Sequence, residues 1–311
     1  MIPFLNRSSF AGIAVAVIAL CLIPLFAGEY LLSVFIMTLF WIMLTAGLNL
    51  LGAMGYTSIC HCAFYGIGGY ISAILTLKMG FPFTLSLAAG TLGAGFVGLL
   101  IGYPAFRVRG HYFAIITLAF GLIIALIFSN WRQVTGGDRG LTGILSPIPS
   151  TEGYYYLTLG AALAVIWVTD RILRSSFGRQ LVAIQEDEDL AQQMGIHTMR
   201  CKLIAFALGA LLAGFAGGLM VHYVNFVHPD FFSFGYSFNV IMGMLMGGVG
   251  TTVGAILGGV ISIWLPEALR FTFGLRYIVM GIVLILVMSF MPKGIVGTIA
   301  ENLREKKRIR Q

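Results

Sequence analysis

The sequence predicts an all-α, polytopic membrane protein of about ten transmembrane or re-entrant helical segments, with both termini cytoplasmic. Three observations carry that expectation. Of the 311 residues, 59% are hydrophobic and 10% charged, and the mean hydropathy is +0.94; a soluble core of this size needs a far more polar surface. Apolar runs recur at lengths that cross about 30 Å of hydrocarbon. The net charge of +7 is gathered in short basic stretches beside those runs, which is the pattern of cytoplasmic membrane flanks rather than of a nucleic-acid surface.

The runs follow one another at residues 9–27, 30–51, 57–77, 82–104, 111–130, 154–173 and 203–222. The first is long for a signal peptide and weakly flanked by base, so it reads as an uncleaved helix. A Gly-broken apolar region at 236–266 comes next, then a last run at 276–291. Setting the 171–202 loop and the tail "LREKKRIRQ" in the cytoplasm leaves only Lys78, Arg132, Arg139, Arg270 and Arg276 outside, out of 19 Lys and Arg. Parity then requires two short segments in 236–266, meeting near "GGVGTTVG" (247–254), whether they span or re-enter. Residues 1–298 form one transmembrane domain with a cytoplasmic loop at about 174–201, and 299–311 form a basic tail expected to lie on anionic lipid.

The spans contain almost none of the Asp, Glu or His expected of a proton-coupled carrier. Asp170 is near a span end, Glu29 is in a turn, and His61 is the main exception. The chain has no Gly-Lys-Ser/Thr, hence no P-loop of its own. His61 sits between Cys60 and Cys62, but consecutive helical residues point about 100° apart and cannot converge on one metal ion. Cys21 and Cys201 complete a set of four cysteines that read as small buried residues, not disulfides. No nucleophile–base set or carboxylate pair suggests an enzyme.

Two Gly-rich breaks are the pathway candidates, "GAMGYTSICHCAFYGIGGY" (52–70) and "GMLMGGVGTTVGAILGG" (243–259). Glycine lets helices approach or unwind, and freed backbone groups then bind a polar solute. Plain helix packing explains each break as well. Within them Ser58, His61 and Phe64, at helical spacing, give one face that is polar toward one end and aromatic toward the other. Gly66, Gly68 and Tyr70 in the first break and Gly247, Gly248 and Gly250 in the second complete the pathway set.

The pattern Gly52-x-x-Gly55-x-x-Ser58-x-x-His61-x-Ala63-Phe64-x-Gly66-Ile67-Gly68-x-Tyr70 resembles the signature of branched-chain amino-acid ABC importer permeases, the Liv-type M subunit in particular. "RVRGHYFAIITLAFG" (107–121), "TGGDRGLTGI" (135–144), "SFGRQLVAIQEDEDLAQQMGI" (176–196), "HPDFFSF" (228–234), "MGGVGTTVGAILG" (246–258), "LPEALR" (265–270) and "MPKGIVG" (291–297) follow in that family's order. Tyr56 and Cys60 stand where such permeases usually carry Gln and Gly, Cys62 where Ala is usual, and Leu122 where an acid is common.

The resemblance implies a multi-pass permease of the bacterial inner (plasma) membrane, forming the pathway for branched-chain or related hydrophobic amino acids. It implies a second homologous permease, two ATPase subunits carrying the ATP and Mg, and an extracytoplasmic solute-binding protein, with no cofactor on this chain and lipid around it. It also explains why four of the twelve acids stand in one run, Glu186-Asp187-Glu188-Asp189. In this family a cytoplasmic coupling helix has a degenerate Glu-Ala-Ala-x-x-x-Gly pattern, which Asp189 to Gly195 fits loosely. Glu186, Asp187 and Asp189 would sit at its positive start. Leu190 and Met194, one turn apart, would supply a small apolar face, Ala191 fills an Ala position of the pattern, and Gly195 would be a left-handed stop. Arg171, Arg174, Arg179, Arg200 and Lys202 are expected to flank the loop at the lipid surface. Thr135, Gly136, Gly137 and Asp138 fall in the longest external loop, as a pore cap or a docking surface for the binding protein. An autonomous ion-coupled amino-acid carrier and a passive channel for small amides such as urea are the alternatives.

Overall fold

The computed structural model describes residues 7–108, 110–270, 276–291, 294–299 and 301. The expected roles of Arg109, Lys293 and nearly all of the tail from 299 fall outside these residues. Helices dominate because each apolar run must close its own backbone hydrogen bonds in lipid. They are α1 (Arg7–Phe26), α2 (Glu29–Gly52), α3 (His61–Met79), α4 (Phe83–Ala105), α5 (His111–Asn130), a single turn α6 (Arg132–Thr135), α7 (Thr151–Arg174), α8 (Ser176–Glu186), α9 (Glu188–Gln193), α10 (Thr198–Val224), α11 (Phe234–Gly247), α12 (Thr252–Ala268) and α13 (Arg276–Phe290). Among the described residues seven helical segments are long and apolar enough to cross a membrane, and α12 is a shorter apolar helix.

The 27-residue α10 is the axis of the bundle, packed by α2, α3 and α4. Small residues permit this. A Cβ on Gly68 would lie 2.2 Å from the Gly214 carbonyl oxygen, one on Gly90 would lie 2.4 Å from the Gly68 carbonyl oxygen, and one on Gly217 would lie 1.9 Å from that of Tyr65. The α3, α4 and α10 backbones therefore touch directly, with dispersion contacts in place of the hydrophobic effect that lipid cannot supply.

The broken region is two helices, as parity requires. With 14 and 17 residues they are about 21 and 26 Å long, each shorter than the hydrocarbon layer. The Thr45 hydroxyl donates to the Ala255 carbonyl at 2.8 Å, and Trp264 Nε1 donates to Thr38 Oγ1 at 3.1 Å, fastening α12 along α2.

Both ends of the bundle are tied. At one, here called the cap end, Leu141–Thr142 (β1) and Phe226–Val227 (β2) form a two-rung antiparallel ladder. Lys78 donates to the Gln133 carbonyl there, and Arg270 Nη1 to the Tyr30 hydroxyl at 2.8 Å. The opposite end carries α8 and α9, with the Asp170 carboxylate accepting from Thr252 Oγ1 at 3.0 Å and pairing with Arg174 at 2.7 Å.

Two boundaries differ from the hydropathy reading. The helix expected from 57 begins at His61, because residues 53–60 form turns and irregular backbone in which Gly55 is left-handed (φ 78°). The helix expected from 203 begins at Thr198, because Lys202 is not at a lipid flank. Its side chain is 3% exposed and ion-paired inside the bundle.

Candidate functional site

The first break divides into a connection and a packing surface. Ser58 lies in the connection, so helical spacing does not apply to it and it shares no helix face with His61 and Phe64. Its hydroxyl is 3.2 Å from Cys60 Sγ, and the Ile59 amide donates to Thr117 Oγ1 of α5 at 3.3 Å. His61 opens α3, 1% exposed, beside Gly47 of α2. Neither ring nitrogen makes a well-formed hydrogen bond, although the Leu44 carbonyl faces the ring. Phe64 is fully buried edge-on against Phe206, with Phe120 beyond. Gly66 accommodates Phe232, Gly68 accommodates Gly214, and Tyr70 lies 4.2 Å, centroid to centroid, from Phe128. Within the single chain these four residues close helix contacts.

The second break makes the turn between α11 and α12. Gly248 (φ 125°) and Gly250 (φ 74°) take backbone conformations that a side chain rarely adopts. A Cβ on Gly247 would meet the Gly254 carbonyl oxygen at 2.1 Å. The turn is held by Asn49, a residue the sequence reading passes over. Its amide donates to the Thr251 carbonyl at 2.6 Å and its oxygen accepts from the Gly250 amide at 2.6 Å. A lone Asn inside an apolar run was the available signal, since a polar side chain in a span needs a partner.

A cavity of about 490 Å³ opens beside this turn, lined by Gly52, Gly55, Thr57, Gln185, Leu245, Val249, Met288, Gly294 and Gly297. That is the size range of small-solute pockets. It joins both breaks to α8 at the α9 end of the bundle.

The acidic run is divided by role. Asp187 caps α9, its Oδ1 accepting from the Asp189 and Leu190 amides at 2.9 Å each. Gly195 (φ 85°) ends the helix in a paired stop, with Gly195 N donating to the Gln192 carbonyl and Ile196 N to that of Ala191. Glu186 and Asp189 face outward, Ala191 is buried, and Leu190 and Met194 are 55% and 77% exposed. Glu188 turns inward, absent from the expected site set. Its Oε1 is 2.5 Å from Lys202 Nζ, and its Oε2 accepts from the Tyr56 hydroxyl at 3.1 Å. Residues 14 apart across a helix break carry no helical periodicity, so sequence spacing did not reveal the pair.

At the cap end, Thr135 Oγ1 donates to the Phe128 carbonyl at 2.7 Å and accepts from the Gly137 amide at 3.3 Å. Gly136 and Gly137 are left-handed, and a Cβ on Gly136 would sit 2.0 Å from the Gly140 carbonyl oxygen. The Asp138 side chain is exposed, while its carbonyl faces His228 Nε2 at 2.8 Å. The segment is a built turn that presents one carboxylate outward. Among the described residues no three His, Cys, Asp or Glu side chains converge as a metal site requires.

Comparison with known proteins places this architecture. Residues 30–288 match the family model described as branched-chain amino acid transport system / permease component. The LivM permease protein of the high-affinity branched-chain amino acid transport system of Escherichia coli K12 is 30% identical over 313 residues, covering 91% of this chain and 74% of that protein. The LivH permease protein of the corresponding system in Salmonella typhimurium is 27% identical, over 79% of this chain and 87% of its own. The LsrC permease protein of an autoinducer 2 import system in Escherichia coli O9:H4 is 24% identical, over 85% and 79%. No solved structure matches the chain. With that match and a helical bundle of membrane-spanning length, the chain belongs to the family of permease components of branched-chain amino acid transport systems.

Proposed function

We propose that this permease component lies in the bacterial inner (plasma) membrane, with the α9 end and both termini in the cytoplasm, and carries branched-chain or related hydrophobic amino acids inward. In this reading it pairs with a second homologous permease and receives solute from an extracytoplasmic binding protein at the cap end. Two ATPase subunits, which hold the ATP and Mg, dock on residues 186–195. That LivM-named and LivH-named permeases both resemble the chain supports a two-permease system.

One observation carries the docking assignment. The α9 helix is capped at both ends and pinned to the bundle, yet Leu190 and Met194 project from it 55% and 77% exposed. Apolar side chains one turn apart on a rigid helix suit a groove on a partner. The basic flanks and acidic centre keep α9 off an anionic lipid surface. ATP-driven closure of the ATPases would then move α9 and α8, and Gln185 on α8 lines the cavity at the inner mouth.

The test is uptake of radiolabelled leucine, isoleucine and valine by proteoliposomes, comparing the chain alone with the chain plus the proteins encoded beside it and internal ATP. Uptake is expected only with partners and ATP, and Asp189→Lys with Leu190→Asp is expected to release the ATPases. Uptake by the chain alone, or ATPases retained by that variant, would overturn the assignment. Transport of other solutes and none of the three amino acids would correct the substrate.

A further inference from the structure

The connection at 53–60 is held by two neighbouring helices, α8 and α9. Gln185 of α8 packs on Gly55, where an added Cβ would stand 3.2 Å from Gln185 Cγ. At the next residue, Tyr56 meets both charges of the buried pair. Its hydroxyl donates to Glu188 at 3.1 Å and accepts from Lys202 Nζ at 3.5 Å. The Lys202 ammonium also lies 5.3 Å from the centre of the Tyr56 ring and 5.5 Å from that of Phe106. Phe106 and Phe113, themselves stacked at 4.8 Å, enclose Tyr56 edge-on. The residues on either side of Tyr56, Gly55 and Thr57, line the inner cavity.

Three separate parts of the chain meet here: α9 through Glu188, the start of the axial helix α10 through Lys202, and the strap 53–60 through Tyr56. Opening the pair would take Glu188 away from the ammonium of buried Lys202, whose side chain is 3% exposed. Separation is therefore resisted far more than at a surface pair. We propose that Glu188, Lys202 and Tyr56 form a latch that couples movement of α9 to the strap, and so sets the width of the cavity at the inner mouth. These are positioning residues that act through Gly55 and Thr57. The proposal rests on the reading of α9 as the ATPase docking element.

The test uses the assembled complex in proteoliposomes and the double variant Glu188→Gln/Lys202→Met. It removes both charges together, so that neither is left buried alone. The latch requires that ATPases still co-purify and hydrolyse ATP, while amino acid carried per ATP falls at least about fivefold. Hydrogen exchange supplies a readout independent of transport. In the unaltered complex a non-hydrolysable ATP analogue changes protection of the 53–60 amides, and in the double variant it does not. Lys202→Arg, which keeps the charge, restores most of the transport ratio in otherwise unaltered protein. An unchanged ratio with an unchanged exchange response in the double variant overturns the latch. Should that variant fail to assemble, Tyr56→Phe takes its place, because it keeps the ring and removes the hydroxyl between the charges, and the same two outcomes decide. Absence of ATP-driven uptake by the unaltered complex would instead defeat the docking reading, a result separate from a latch that makes no difference.

Discussion

Gly68→Ala separates a packing glycine from a pathway glycine. The new Cβ would stand 2.2 Å from the Gly214 carbonyl oxygen and 2.4 Å from Gly214 Cα, where ordinary contact begins at 3.4 Å. The shortfall of about 1.2 Å falls on backbone atoms, which cannot rotate away. Any retreat of α3 from α10 also disturbs its contact with α4, where a Cβ on Gly90 would meet the Gly68 carbonyl oxygen at 2.4 Å. Overpacking of this kind costs about 1–3 kcal/mol, offset by about 0.5–1 kcal/mol for replacing a helical glycine. The net loss of up to about 2.5 kcal/mol lowers the melting temperature of a 311-residue chain by up to about 4 °C. Gly160→Ala on α7 is the matched control, since no atom lies within 4 Å of its added Cβ. That change is neutral or raises the melting temperature by up to about 2 °C. The measurement is tryptophan fluorescence of purified protein in detergent, heated at one fixed rate because unfolding of such proteins is seldom reversible. Equal melting of Gly68→Ala and unaltered protein, with uptake lost, would refute the packing argument and return Gly68 to the pathway.

Three further changes test other joints. Asn49→Leu strands the Gly250 amide and the Thr251 carbonyl, at a cost of about 1–3 kcal/mol for each group left buried; faster hydrogen exchange at 249–252 is the readout. Asp187→Ala removes the cap of α9 and about 1 kcal/mol with it, so the Asp189 and Leu190 amides exchange faster, while Asp187→Asn retains most of their protection. Gly140→Ala places a Cβ 2.0 Å from the Val227 carbonyl oxygen at a left-handed residue (φ 68°). It is expected to open the β1–β2 ladder and make 136–145 a site of limited proteolysis.

Hydropathy made the spans legible because lipid imposes one length and one composition on every crossing. The parity of basic flanks went further and required two helices where the apolar run alone shows one. The same reasoning misplaced Lys202, because a charge count cannot detect a carboxylate folded against it from another helix. It also began α3 four residues early, since Thr57 and Ser58 look tolerable in a span until Gly55 is seen to turn the chain out of helix. The cap of α9 at Asp187 and its stop at Gly195 were readable, as caps and stops are local chemistry. Asn49 and Glu188 were not, as each acts only through a residue brought to it by the tertiary fold.

The Asn49 bond to the α11–α12 turn also orders events during synthesis. Its partner Thr251 lies 202 residues later in the chain. At about 5–20 residues per second the ribosome needs roughly 10–40 s to reach it. Through that interval α2 is already in the membrane with a side-chain amide and no turn to hold. Its seam with α12 cannot close until most of the protein has been made. Until then the Asn49 amide has to be satisfied by other partners, such as water or neighbouring backbone. Mutations along that seam should show themselves first as lost yield, before any defect in the finished permease is measured.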